Sequence, residues 1–123
     1  IQQYVEALFG ESAIAAQSMY YFKPPGARGQ ALHQDNFYLA VKPGTCMAAW
    51  TAIDPATPEN GGLYVVPETD NMPVVCPEVA NETESWSTHL VKPPQGKKAV
   101  PAILESGDTL FFNGNVIHGS GPN

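Results

Sequence analysis

The sequence predicts a mainly β domain in which short antiparallel strands alternate with turns. The 123 residues include 12 Pro and 11 Gly, which end strands and form turns, together with five Tyr, five Phe and two Trp, which favour strands. This length fits a single domain, and a hydrophobic content of 43% is enough for a modest core. Such a pattern fits a double-stranded β-helix, the cupin-like jelly roll whose interior can hold a metal or small ligand, and it fits a sandwich without a site equally well.

One amphipathic helix is expected before the strands, because Ile1, Tyr4, Val5 and Leu8 recur at helical spacing and Gly10 stands where a helix usually ends. The predicted strands cover residues 19–22, 33–41, 46–53, 63–66, 88–91, 100–104, 109–112 and 116–118. Between residues 68 and 98 the chain is polar and proline-spaced, so we interpret it as a long excursion from the domain.

Charge and hydropathy exclude several classes of partner. The net charge is −6 and the six Lys and Arg form no basic stripe, so we expect no nucleic-acid partner. No apolar run is long enough to span a membrane and no secretory signal is present, so we expect no membrane partner and a cytoplasmic location. The sequence leaves the oligomeric state open.

Three residues carry the strongest chemical signal: His33, Asp35 and His118. Side chains at positions i and i+2 of a strand leave the same face, so His33 and Asp35 would point together while Gln34 points away. His118 follows an Asn-Gly turn, a rigid place from which to complete the set. Two imidazoles and one carboxylate suit Fe(II) and leave positions for a bidentate cosubstrate and O2, whereas the two cysteines lack the spacing of a structural zinc site.

A non-functional interpretation stays open for each of these residues alone. With three His in 123 residues, a His-x-Asp triplet arises by chance roughly 0.1 times per chain. His118 alone would more often be hydrogen-bonded than metal-bound, and we interpret His89, in the polar excursion, as solvated. Nearness in sequence makes Gln34, Asn36, Tyr38 and the long excursion candidates for a substrate mouth.

The sequence around the triad resembles the phytanoyl-CoA dioxygenase family from Met19 to Asn123. The similarity rests on several short motifs in one order, namely Lys23-Pro24-Pro25, His33-Gln34-Asp35, Ala49-Trp50-Thr51-Ala52, Asn60-Gly61-Gly62-Leu63, Val66-Pro67, Gly107-Asp108-Thr109-Leu110-Phe111-Phe112 and His118-Gly119-Ser120. The resemblance implies a jelly roll that uses Fe(II), O2 and 2-oxoglutarate to hydroxylate a small molecule, releasing succinate and CO2.

By the same resemblance, His33, Asp35 and His118 match the catalytic iron ligands, while Met19, Trp50 and Ser120 match positions that bind 2-oxoglutarate. Core packing would explain Met19 and Trp50 equally simply, and a turn would explain Ser120. Two other functions also stay open: a cupin-type metal enzyme that does not use 2-oxoglutarate, and a non-catalytic jelly-roll binding module.

The chain departs from the family pattern at two places. Glu68 replaces the glycine of the usual Val-Pro-Gly-Ser-His, which puts the geometry of that loop in doubt. The family also has a cosubstrate-binding arginine beyond the distal histidine, whereas Arg28 is the one arginine in residues 1–123. We therefore interpret residues 1–123 as a single oxygenase core domain, a fragment without its N- and C-terminal flanks, that binds 2-oxoglutarate weakly.

Overall fold

The computed structural model describes residues 1–123. Helix α1 (Gln2–Phe9) ends at Gly10, which adopts a left-handed φ of 74° and donates its N–H to the Glu6 carbonyl. The Tyr4 ring of α1 lies 6.2 Å from the ring of Phe111, so the helix contacts the sheet that carries Phe111. The N-terminal helix is confirmed. At eight residues it is the longest helix, and no helix has the length and apolar character needed to cross a membrane.

Eight short strands follow. They are β1 (Gln30–His33), β2 (Met47–Thr51), β3 (Leu63–Val65), β4 (Glu78–Val79), β5 (His89–Leu90), β6 (Val100–Pro101), β7 (Thr109–Asn113) and β8 (His118–Ser120). Helix α2 (Asp35–Leu39) lies between β1 and β2, and a 3-10 turn (Pro58–Asn60) precedes β3.

The strands form one larger sheet and two smaller antiparallel pairs. The larger sheet has the order β1-β8-β3-β6, and the pairs are β2-β7 and β4-β5. Strands from opposite ends of the chain are therefore neighbours, as in the double-stranded β-helix that the sequence predicts, and the mainly β fold class is confirmed.

The core is small and lies next to β8. Val66, Val91 and Ile117 are buried together, with Leu32 and Met72 packed against them. Burial of one such side chain stabilises the fold by about 1.5 to 3 kcal/mol. Because Ile117 directly precedes His118, this packing also fixes the start of the strand that carries the distal histidine.

Two predicted strands are wrong. The strand predicted for residues 33–41 ends at His33, and Asp35 begins α2. The Gln34 side chain lies fully buried, where its amide bonds to Pro73 O, Asn115 O and Val75 N, and these long-range bonds override the local strand pattern. The strand predicted for residues 19–22 has no pairing partner, and Phe22 is 79% exposed.

Candidate metal centre

Pairing of β1 with β8 brings the two predicted histidines together. His33 and His118 are direct Cα partners in the antiparallel register, and their ring centroids lie 4.3 Å apart. Directly opposite residues of an antiparallel pair point to the same face. Both residues are buried, with 5% of their surface exposed.

Each imidazole is oriented by the backbone carbonyl two residues before it. His33 Nδ1 lies 2.9 Å from Ala31 O, and His118 Nδ1 lies 2.9 Å from Val116 O. A carbonyl can only accept, so Nδ1 carries the proton in both rings and the Nε2 lone pair is left for a ligand. Metal-binding histidines are commonly fixed in this way.

Asp35 completes the group from the first turn of α2. Its Oδ1 lies 3.5 Å from His33 Nε2 and 3.7 Å from His118 Nε2, and the ligand atoms of the three residues lie within 4.8 Å of one another. The structure thus brings the three predicted residues together, although not by the predicted route. Asp35 reaches the site because the chain turns after Gln34, and not because it shares a strand face with His33.

The turn between β7 and β8 holds the first residues of α2 in place. Asn115 O accepts from Gln34 Nε2 at 2.8 Å, Asn115 Oδ1 accepts from Asn36 Nδ2 at 2.8 Å, and Gly114 O accepts from the Asn36 N–H at 2.9 Å. A side chain at Gly114 would place its Cβ 2.7 Å from Asn36 Oδ1, so glycine is required by the close approach. The residues on either side of Asp35 are therefore tied to the turn that leads into His118.

The electrostatics of the site favour a neutral His118 imidazole and an ionised Asp35 carboxylate. Burial, followed by the nearby charge of His33, lowers the pKa of His118 to about 4. Burial on its own would raise the pKa of Asp35, but the close approach of His33 Nε2 and the electrostatic influence of His118 and His33 outweigh it and hold that pKa below its ordinary value. At neutral pH the His118 imidazole is therefore neutral and the Asp35 carboxylate is ionised, as metal binding needs.

The donor set fits a divalent first-row metal. Octahedral ligands at about 2.1 Å from such an ion are about 3 Å from one another, so the observed 3.5 and 3.7 Å would shorten by about 0.5 and 0.7 Å when a metal binds. Three ligands on one side, two imidazoles and one carboxylate, are the set typical of non-haem Fe(II) oxygenases.

The other predicted site residues lie at different distances from this centre. Trp50 shares the inner face of the β2-β7 pair with Phe112, whose ring lies 4.5 Å from His118. Ser120 lies two residues after His118 on the same face of β8. Met19 is 64% exposed and accepts a hydrogen bond from the Tyr21 hydroxyl rather than from a triad residue.

Lys23 is a site residue to which the sequence alone gave no role. Its Nζ donates to Ser120 Oγ at 2.8 Å, Gly61 O at 2.9 Å and Gly121 O at 2.6 Å. No carboxylate pairs with this half-buried ammonium, and burial lowers its pKa. Lys23 belongs to the Lys23-Pro24-Pro25 motif, one of the short motifs on which the family resemblance rests, and that motif is the sequence signal that could have identified it.

Arg28 bonds to the segment between residues 68 and 98. Its Nη1 donates to Glu82 O at 2.5 Å and to Ser85 O at 3.3 Å, both in the excursion loop. The guanidinium is thus bound to backbone carbonyls of that loop, and Lys23 is the cation beside Ser120.

Comparison with known proteins decides the family. A family model described as "Phytanoyl-CoA dioxygenase (PhyH)" matches residues 1–123. The chain belongs to the phytanoyl-CoA dioxygenase family.

Individual members of the phytanoyl-CoA dioxygenase family are similar over most of this chain. Phytanoyl-CoA dioxygenase 1 of Oryza sativa subsp. japonica is 34% identical over 105 residues, which are 85% of this chain and 37% of the rice protein. The peroxisomal phytanoyl-CoA dioxygenase of Homo sapiens is 32% identical over 131 residues, which cover 100% of this chain and 39% of the human protein. The chain thus spans 37 to 39% of the length of these relatives.

A solved structure supports the fold independently. The crystal structure of EvdO2 from Micromonospora carbonacea var. aurantiaca matches 82% of this chain and 42% of that chain with a TM-score of 0.61. At 24% sequence identity this likeness bears on the fold alone.

Proposed function

We propose that this chain carries the iron centre of a 2-oxoglutarate-dependent dioxygenase that hydroxylates a small molecule. The observation that carries the proposal is the convergence of His33, Asp35 and His118, with both imidazoles fixed so that Nε2 is available. When bound, Fe(II) with O2 and 2-oxoglutarate supplies the oxidation that converts a substrate C–H to C–OH while 2-oxoglutarate becomes succinate and CO2. Membership of the family supports this reaction class.

The side chains around Ser120 are proposed to hold the distal carboxylate of 2-oxoglutarate. Ser120 offers a hydroxyl and Lys23 a fixed ammonium, 2.8 Å apart. A half-buried cation held only by neutral oxygens lacks a compensating charge, so an incoming carboxylate is favoured there. Trp50 and Met19 remain the proposed apolar walls of this pocket, Trp50 from the inner sheet face and Met19 from the segment before Lys23.

Asp35 favours hydroxylation over halogenation. In the family pattern, halogenating relatives carry a small residue at this position and leave a coordination site for chloride. Here the carboxylate Oδ1 lies within 3.7 Å of both imidazole Nε2 atoms, where it would occupy that site. We therefore propose a hydroxylated product.

A group of aromatic rings beside the triad is the proposed substrate mouth. The Tyr38 ring lies 6.1 Å from the His33 ring, the Tyr38 hydroxyl lies 3.2 Å from His89 Nδ1, and the Phe37 ring lies 5.4 Å from the His89 ring. Tyr38 is 49% exposed, so a substrate can reach it from solvent. Gln34 and Asn36 were also expected at the mouth: Gln34 is fully buried, whereas Asn36 is largely buried but lines a surface cleft together with Phe37 and Val74.

The proposed partner is a small molecule, and the proposed location is the cytoplasm. An excess of acidic over basic residues, 12 against six, gives no surface suited to nucleic acid. The relatives from Homo sapiens and Bos taurus are named as peroxisomal, so the location is best tested directly by microscopy of the tagged full-length protein.

The test is an aerobic incubation of the full-length protein with Fe(II) and labelled 2-oxoglutarate against a panel of small metabolites. We expect succinate, CO2 and hydroxylated product in equal amounts, all lost in Asp35→Ala. Metal-dependent turnover without 2-oxoglutarate would favour a cupin-type enzyme instead. Metal binding without any turnover would favour a binding module, and a chlorinated product in the presence of chloride would contradict hydroxylation.

A further inference from the structure

A bulge in β1 places Gln30 beside the metal centre. Gln30 pairs with Ser120 and His33 pairs with His118, so β1 contains one residue more than β8 between these two pairs. An extra residue reverses the alternation of side chains locally. Gln30 and His33, three positions apart, consequently meet on one face, and Gln30 Nε2 lies 3.2 Å from His33 Nε2.

The direction of this hydrogen bond follows from the tautomer of His33. Because His33 Nδ1 donates to Ala31 O, its Nε2 must accept, and the Gln30 amide is the donor. A metal on Nε2 would use the same lone pair. Both N–H groups of Gln30 would then be free to donate to an oxygen atom bound next to His33, since no other protein group bonds to that amide.

Gln30 also lies on the side of the triad that faces Ser120. Its backbone N–H donates to Ser120 Oγ at 3.2 Å, while its side chain reaches His33. The proposed path of 2-oxoglutarate runs from the triad to Ser120 and Lys23, and Gln30 lies beside both ends of that path.

We infer that Gln30 positions the cosubstrate, with its side-chain amide donating a hydrogen bond to a carboxylate oxygen at the metal-binding end of the 2-oxo acid. This inference rests on the proposed function. A neutral amide donating to a carboxylate is a charge-assisted hydrogen bond, which is stronger than a bond between neutral groups.

Two substitutions test the role in the full-length protein. Gln30→Leu removes the donor at similar volume, and Gln30→Glu replaces it with an anion of nearly the same shape. Gln95→Glu, on an exposed turn, is the control for the added charge. Under anaerobic conditions, Fe(II) affinity is measured first, and 2-oxoglutarate affinity is then measured from the charge-transfer absorption of the iron complex.

We expect Gln30→Leu to weaken 2-oxoglutarate binding about 10-fold and Gln30→Glu to weaken it about 100-fold, with Gln95→Glu unchanged. Fe(II) affinity without 2-oxoglutarate should not fall for Gln30→Leu, since the amide is not a metal ligand and bonds to the same Nε2 lone pair that the metal would use. Circular dichroism and thermal unfolding verify that each variant folds. If Gln30→Leu fails to fold, the nearly isosteric Gln30→Glu variant still decides the test.

Unchanged 2-oxoglutarate affinity in the folded variants would overturn the inference. A parallel fall in Fe(II) affinity, with normal 2-oxoglutarate binding once iron is loaded, would overturn it as well, because Gln30 would then only orient His33. If the wild-type protein itself forms no complex with Fe(II) and 2-oxoglutarate, the proposed function fails and the inference fails with it.

Discussion

Asn36 and Asn115 connect the two halves of the metal centre through a hydrogen bond of 2.8 Å between Asn36 Nδ2 and Asn115 Oδ1. Asn36 directly follows the carboxylate residue Asp35, and Asn115 lies in the turn that leads to His118. A contact between residues distant in sequence therefore sets the separation of two proposed ligands.

Breaking that contact should weaken metal binding. We expect Asn115→Ala to lower Fe(II) affinity about 10-fold, the lower end of the usual effect of outer-shell hydrogen bonds, because Asp35 loses a fixed position. Anaerobic titration with Fe(II) measures this, with Asn71→Ala as the control, since Asn71 is exposed and bonds only to Asp70. Wild-type affinity in Asn115→Ala would show that the turn does not hold the site.

Lys23 should decide cosubstrate affinity. We expect Lys23→Met to weaken 2-oxoglutarate binding about 10 to 150-fold, the range for losing a charge-assisted hydrogen bond. Lys23→Arg should retain part of the affinity, because it keeps the charge.

Arg28→Ala is the matched control for Lys23, because Arg28 donates to Glu82 O and Ser85 O and, unlike Lys23, makes no hydrogen bond to Ser120. It should leave 2-oxoglutarate affinity unchanged. The account of the pocket is contradicted if Lys23→Met binds 2-oxoglutarate normally, or if Arg28→Ala abolishes binding without loss of folding.

The depressed pKa of His118 predicts lower stability in acid. An unfolded histidine has a pKa near 6.5, whereas the folded value is about 4. The unfolded chain thus binds the proton more tightly, so the contribution of His118 to stability is complete above about pH 6.5 and is lost progressively as the pH falls from about 6.5 to about 4. We expect the free energy of unfolding to fall by about 2 kcal/mol between about pH 7.5 and pH 5.

Urea unfolding in the presence of a chelator measures this pH dependence without a contribution from metal binding. In His118→Gln the loss should become clearly smaller, although Asp35, whose pKa is also lowered, still contributes at the acid end. An equal loss in His118→Gln and in the wild type would contradict the assignment to His118.

Ala40 is a strained cap at the end of α2. It adopts a left-handed φ of 48°, which is costly for a residue with a Cβ, and donates its N–H to Asn36 O. Ala40→Gly removes the strain of a Cβ in this conformation, but the greater freedom of glycine in the unfolded chain offsets part of the gain. We therefore expect a net rise in the free energy of unfolding of about 0.5 to 1 kcal/mol. Ala40→Ser keeps the Cβ and should give no gain in urea unfolding. A loss of stability in Ala40→Gly would rule out this account of the cap.

Local sequence patterns were sufficient to predict part of the fold. The spacing from Ile1 to Leu8 predicted α1, and most of the strands lie where alternation and turn residues indicated. The motifs around His33 and His118 identified the residues that meet at the site. These features depend on neighbours in sequence, and so they can be inferred from the sequence alone.

The features that could not be predicted depend on distant contacts. Asp35 leaves the strand because Gln34 is buried against Pro73 and Asn115, and Lys23 reaches a serine 97 positions away. At Glu68, where the family has glycine, the chain keeps a left-handed φ of 58°. The sequence showed the substitution at that position but not the conformation.

The central claim is that His33, Asp35 and His118 bind iron together, and the most direct measurement is an anaerobic titration of the full-length protein with Fe(II) followed by 2-oxoglutarate. We predict one Fe(II) per chain and a charge-transfer absorption that appears only after 2-oxoglutarate is added. Asp35→Ala and His118→Ala should lose both, while Asp54→Ala, an exposed carboxylate, should behave as the wild type. Wild-type iron affinity and absorption in Asp35→Ala or His118→Ala would contradict the claim.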